Sequence, residues 1–227
     1  MSILTPLLTT GGTLLFQGDS ITNAFRKPEE LNDCYRLGSG FPLIIGGLLR
    51  AISGRADLSI INHGIAGHNA ADVLARSHRD TIESRPDVVS LLIGVNDANQ
   101  AAHGNFDPLP AFAKAYDRLL FELRAALPNC RLILCEPFSL PVPGFPASLH
   151  PHCATIREHV RLTAKLNQAT LVPLQAAFDA VAGDHPEFWI YDGIHPTAAG
   201  HWLIAQTWLA TVAGIHLPPA VGLTKHF

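Results

Sequence analysis

Three side chains far apart in the chain have the chemistry of an acyl-transfer site. Ser20 lies in Gly18-Asp19-Ser20-Ile21-Thr22, directly after an apolar run. A serine at the carboxyl end of a strand, where the chain turns into a helix, projects its hydroxyl into a crevice beside free backbone N–H groups. Asp192 and His195 lie in Asp192-Gly193-Ile194-His195-Pro196, near the other end of the chain. An aspartate three residues before a histidine can accept the Nδ1 proton and leave Nε2 to take a proton from a hydroxyl. Each motif alone has a plainer reading, an ordinary turn for the first and a helix cap by Asp192 for the second.

Two further turns could complete such a site. Ile93-Gly94-Val95-Asn96-Asp97 offers the Asn96 amide to a developing oxyanion, and Asn62-His63-Gly64-Ile65-Ala66-Gly67 offers a bare N–H at Gly64. Both also read as simple strand-to-helix turns, since Gly, Asn and Asp dominate turns. Asp19 is expected to bond backbone N–H groups of the serine turn, and Asp97 those of its own loop, as supports of the site. Trp189 and Tyr191 flank the Asp192–His195 turn, where stacking on a sugar or acyl group and core packing both stand as readings. His63, His68, His78, His103, His150, His152 and His201 form no tight ligand spacing, so they are expected at the surface or at helix ends, with no metal and no cofactor.

The elements that must position these residues are legible as apolar runs between breakers. Strands are expected at Thr13–Gln17, Leu58–Asn62, Val88–Ile93, Arg131–Cys135 and, weakly, Thr170–Pro173. Their two-sided apolar character suits strands covered by helices on both faces. Helices are expected at Phe41–Ile52, Ala70–Ser84, Cys153–Gln168 and Thr197–Val212, the last opened by Pro196 and closed by Gly214 with Pro218-Pro219. Another begins at Asp107-Pro108, with Phe112, Tyr116, Leu119, Leu120, Leu123 and Leu127 on one stripe. Strand–helix alternation points to one doubly wound α/β domain over residues 1–227, with a parallel sheet. Three of the four motifs then follow the first three strands and meet at one edge, beside a switch point. Pro137, Pro141, Pro143, Pro146 and Pro151 stiffen the connection after the fourth strand, which reads equally as a pocket wall or as a rigid connector or subunit contact.

Composition narrows the classes. At 48% hydrophobic and 15% charged, the 227 residues are not intrinsically disordered. A net charge of -3 provides no basic excess for nucleic acid. No apolar run reaches the ~18 residues of a membrane span. Cys34, Cys130, Cys135 and Cys153 include no C-x-x-C and read as buried small hydrophobes in a reducing compartment. The first basic residue is Arg26, so no secretory signal is expected and a cytoplasmic location is.

In this order the four blocks resemble the SGNH (GDSL-type) hydrolase superfamily, with Ser20, Gly64, Asn96 and His195 as its namesake residues. The resemblance implies a flavodoxin-like three-layer α/β/α sandwich with a central five-stranded parallel sheet. It implies Ser20 as nucleophile, His195 as base oriented by Asp192, and an oxyanion hole from Ser20 N–H, Gly64 N–H and the Asn96 amide. Gly38-x-Gly40, Gln175-Ala176-Ala177-Phe178 and His195-Pro196-x-x-Ala199-Gly200-His201 resemble the compact bacterial acetyl-xylan-esterase-like members, which usually carry Asn where this chain has His68. The expected activity is hydrolysis of small acyl esters, chiefly acetyl, on a saccharide. Lysophospholipid or thioester hydrolysis, a metal-dependent phosphoesterase and a non-catalytic carbohydrate-binding module are the rivals, and the chain is expected to self-associate into a homo-oligomer.

Overall fold

The five apolar runs pair in parallel, each stopped by the Gly, Pro or Asn that bounds it in sequence. The computed structural model describes residues 4–144 and 147–217. Its strands are β1 (Gly12–Gly18), β2 (Leu58–Asn62), β3 (Val88–Leu92), β4 (Arg131–Cys135) and β5 (Thr170–Val172). The sheet order is β2-β1-β3-β4-β5. Registers Phe16↔Asn62 and Gly18↔Leu92 bring the carboxyl ends of β2, β1 and β3 nearly level. The winding reverses beside β1, so the loops leaving these three strands open onto one crevice.

The helices are α1 (Thr5–Thr10), α2 (Ser20–Asn23), α3 (Asp33–Arg36), α4 (Phe41–Ser53), α5 (Ala70–Ser77), α6 (Val95–Gly104), α7 (Leu109–Ala126), α8 (Leu149–Leu166), α9 (Leu174–Ala182) and α10 (Ala198–Ala213). α4 packs on α1 and α10, and α10 packs on α9; α5 packs on α7, and α8 packs on both α6 and α7. The two groups form the two outer layers of an α/β/α sandwich, as the flavodoxin-like expectation requires. Phe16 of β1 anchors one face, with its ring 5.6 Å from Phe41 and 5.9 Å from Trp208. Trp208 brings a polar N–H into this core, and Nε1 donates to Ser90 Oγ at 3.0 Å, as a buried indole must.

Several helix boundaries differ from the sequence reading, for local reasons. α8 begins at Leu149, four residues early, with Pro151 inside its first turn, where a missing N–H costs nothing. The proline-rich connection is correspondingly shorter. Pro146 within it lies outside the described residues, as do Pro218, Pro219 and the rest of the tail. α5 ends at Ser77 and continues as a π-helical turn, His78–Ile82, rather than as α-helix to Ser84. Pro196 does not open α10; it bridges Ile190, and Thr197 caps the helix by accepting from Gly200 N at 3.2 Å. Gly214, left-handed at φ 68°, closes it.

Candidate active site

Ser20 is the first residue of α2. Asp19 caps that short helix, with Oδ1 accepting from Ile21 N at 2.9 Å. As a first-turn residue Ser20 has no intrahelical acceptor for its own N–H. Its Oγ lies 2.8 Å from His195 Nε2, across 175 residues of sequence. His195 Nδ1 lies 2.6 Å from Asp192 Oδ2. Asp192 does not cap α10: its Oδ1 accepts from Ile194 N (3.2 Å) and His195 N (2.7 Å), which locks the turn and holds the carboxylate facing the ring. Tyr191 N donates to His195 O at 3.0 Å, and the Tyr191 ring, 57% exposed, stacks on the imidazole at 5.8 Å and 16°. Of the two aromatic candidates, Trp189 is a core residue donating to Val181 O, and Tyr191 is open to the cleft.

At Gly64 the backbone N–H expected to face an oxyanion is engaged elsewhere. Gly64 N donates to the Asn62 side chain at 2.9 Å, and its carbonyl accepts from Asn23 Nδ2 (3.0 Å) and Arg26 Nε (2.7 Å). Its N–H is therefore already used. The glycine is needed there for packing, since a Cβ would sit 2.4 Å from Asn23 N. Three residues on, Gly67 N makes no backbone hydrogen bond among the described residues. His68 N donates to Ile65 O at 3.3 Å, closing a four-residue turn with Gly67 third at φ 80°, as a type II turn requires. Ile65 N is bonded to Gly18 O at 3.0 Å, so this turn is pinned two residues from the serine. Asn96, in the first turn of α6, donates one Nδ2 hydrogen to His68 O at 2.9 Å and keeps the second. Ser20 N, Gly67 N and Asn96 Nδ2 thus belong to three loops fastened to one another.

Two acids support these loops. Asp19 is 1% exposed with Oδ2 unpartnered, and burial, with Asp97 adding to it, pushes its pKa from an ordinary 3.8 up to about 7. Asp97 interacts with its own backbone N–H, as expected of a loop support, and also reaches beyond its loop. It accepts from Ala70 N at 3.1 Å and so joins the β3 loop to the start of α5, and burial raises it to about 6. His201 lies in the first turn of α10, at a helix end as expected, and is half-buried. It stacks on Phe41 and accepts from Phe41 N at 3.3 Å, and burial, then the nearby His195, lowers it to about 4.

Sequence reasoning passed over Asn62 and Arg76. Asn62 Nδ2 donates to Thr22 O (2.7 Å) and Leu37 O (2.8 Å), holding the chain around α2; its place in the Gly64 motif was the available signal. Arg76 sits in an amphipathic helix, where nothing in the pattern sets it apart. Among the described residues no cluster of three or more His, Cys, Asp or Glu is arranged to hold a metal, and no helix is long and apolar enough to cross a membrane. A surface cavity of about 610 Å³ between Asn129, Arg131, Asn167 and Thr170 lies at the amino-terminal edge of the sheet, away from Ser20.

A parallel α/β/α sandwich that brings a serine after β1 into contact with a histidine and an aspartate ahead of α10 is an arrangement suited to ester hydrolysis. Residues 16–203 match the GDSL-like lipase/acylhydrolase family, and the chain belongs to it. It is a carboxylic ester hydrolase of the SGNH kind. It is 32% identical to an acetylxylan esterase of Geobacillus stearothermophilus over 89% of this chain and 94% of that one. The solved structure of Axe2, an acetylxylan esterase from Geobacillus stearothermophilus, matches with a TM-score of 0.81 at 28% identity, covering 94% of this chain and 99% of that one. A Parabacteroides merdae protein described as a GDSL-like lipase matches at 0.84 with 29% identity, covering 90% and 97%.

Proposed function

We propose that this chain removes small acyl groups, chiefly acetyl, from saccharides through an acyl-enzyme on Ser20. The observation that carries the mechanism is the pair of contacts at His195, 2.8 Å to Ser20 Oγ and 2.6 Å to Asp192 Oδ2. Ser20 Oγ attacks the ester carbonyl as His195 Nε2 takes its proton, and Asp192 stabilises the imidazolium. The tetrahedral oxyanion is held by Ser20 N–H, Gly67 N–H and the second Asn96 Nδ2 hydrogen. His195 protonates the departing sugar hydroxyl. A water then attacks the acyl-enzyme by the same route in reverse, with His195 as base. Two solved structures of Axe2 are of catalytic mutants, one serine-to-alanine and one aspartate-to-alanine, which supports assigning these roles to the same residue types here.

The saccharide assignment rests on the acetylxylan esterase relatives and on the exposed Tyr191 ring beside His195, an apolar face suited to a sugar ring. Cys130, Cys135 and Cys153 are buried as expected, whereas Cys34, on the short exposed α3, is not, and the four free thiols suit the reducing cytoplasm proposed for it. The test is an acyl-chain series on acetylated xylo-oligosaccharides and on chromogenic esters, with Ser20→Ala as control. Turnover falling steeply beyond short acyl chains is expected, with Ser20→Ala inactive and no longer labelled by an organophosphonate. Equal turnover on long-chain lysophospholipids or thioesters overturns the substrate class, and full activity in Ser20→Ala overturns the mechanism.

A further inference from the structure

The three donor loops are joined by one buried side chain. Arg76 of α5 is 7% exposed, and four of its five N–H donors are engaged. Nη2 donates to Gly18 O at 3.1 Å, two residues before Ser20. Nη1 donates to His63 O (2.8 Å) and to Asp80 Oδ2 (2.9 Å), and Nε donates to His68 Nδ1 at 3.1 Å. Gly18 O also accepts from Ile65 N, so Arg76 and the Gly67 turn share one acceptor at the end of β1. His68 closes the chain of contacts, because its carbonyl holds the Asn96 side chain. From Arg76 there is an unbroken path of hydrogen bonds to the segments bearing Ser20 N, Gly67 N and Asn96 Nδ2.

The chemistry of the Arg76–His68 contact is restrictive. A guanidinium has only donors, so His68 Nδ1 must present a lone pair, and the ring is the neutral Nε2–H tautomer. Burial, then the charge of Arg76, holds His68 below the usual imidazole value, in keeping with that state. Asp80 balances the buried cation and is itself bound by Arg79 at 2.5 Å. Oxyanion donors act only within a few tenths of an ångström of the forming charge, and a misplacement of about 1 Å costs about a hundredfold in rate. Three donors on three loops need a common reference.

We infer that Arg76 is a positioning residue for the oxyanion pocket, acting through the imidazole of His68 to set the Gly67 turn and the Asn96 amide against the serine turn. The inference rests on the reading of Ser20 as nucleophile. It assigns a use to His68, where the acetyl-xylan-esterase-like relatives usually carry Asn. The two side chains are interchangeable in this role, since an Asn Oδ1 occupies the place of His Nδ1 and accepts as it does.

The experiment compares His68→Asn, His68→Phe and Arg76→Lys with Ser20→Ala, on a chromogenic acetyl ester, with a trifluoromethyl ketone as oxyanion-forming inhibitor and thermal melting of every variant. His68→Phe is expected to lose about 10- to 100-fold in kcat with KM within about threefold, and ketone affinity is expected to fall by the same factor as kcat/KM. His68→Asn is expected to stay within a fewfold of the parent. Arg76→Lys, which keeps the charge beside Asp80 but cannot serve all four acceptors, is expected to fall with His68→Phe. Wild-type kcat in a folded His68→Phe overturns the inference. So does an equal loss in His68→Asn and His68→Phe, or a kcat loss with unchanged ketone affinity. If Ser20→Ala stays active, the underlying reading fails with it; if Ser20→Ala is inactive while His68→Phe is normal, only the positioning role fails.

Discussion

Replacing Asp19 with Asn should abolish a pH dependence of stability that the buried carboxyl imposes. Asp19 accepts one hydrogen bond, from Ile21 N, while Oδ2 has no partner and the residue is 1% exposed. An ionised carboxylate in that position gives up its water and recovers little. Its pKa rises from 3.8 to about 7, and at about 1.4 kcal/mol per tenfold change in proton affinity the charged form costs roughly 4 kcal/mol. The folded-state value is the higher one, so the folded protein holds the proton more tightly. Stability from this group is complete below pH 3.8, declines as pH rises, and levels off once the folded carboxyl ionises near pH 7. Asn keeps the acceptor for Ile21 N and cannot ionise. Urea unfolding followed by the fluorescence of buried Trp189 and Trp208 should show Asp19→Asn gaining on the parent by about 2–3 kcal/mol between pH 5 and pH 8. Parallel stability profiles for the two proteins over that range would refute the reasoning.

Other perturbations separate roles within the site. Asn96→Ala should lower kcat about 100- to 1000-fold with little change in melting, as loss of one oxyanion donor does; a normal kcat excludes its amide from the hole. Gly64→Ala should destabilise by about 1–3 kcal/mol and impair turnover, because its Cβ meets Asn23 N and the Thr22 carbonyl carbon at 2.4 and 2.7 Å. Gly67→Ala, at φ 80° but with open space around it, should cost only about 1–2 kcal/mol and keep most activity, since its N–H remains. Melting curves and kinetics of the two alanine variants check both statements. Iodoacetamide should label Cys34 alone in the folded protein and leave activity intact, because burial raises Cys130 and Cys153 to about 11 and Cys135 to about 12. Mass spectrometry of the labelled chain reads the outcome.

The strands were readable because each is an apolar run ended by a breaker, and β3 between Pro86-Asp87 and Gly94 is the plainest case. Helices with a stripe, such as α7, were readable too. α6 was not: its buried stripe is only Val95, Ala98 and Ala101, small residues set among Asn, Asp, Gln and His, and it packs on α8. The Ser20, Asp192 and His195 motifs could be matched by residue type and local spacing. The choice between Gly64 and Gly67 could not be made that way. It depends on the Asn62 side chain claiming one N–H and a type II turn freeing the other, which are three-dimensional facts. Arg76 was hidden for a related reason, since a cation on an amphipathic helix gains its meaning only from the four acceptors around it.

The hydrogen bond joining residues 20 and 195 also sets when this protein can first act. In the order of synthesis the serine turn after β1 is made long before the histidine ahead of α10. Until Asp192 and His195 emerge and α10 docks beside α4, that serine has no base and is an ordinary alcohol. On the proposed mechanism hydrolysis is thus withheld from every incomplete product of synthesis, and the first turnover reports that the serine turn and the histidine turn have met.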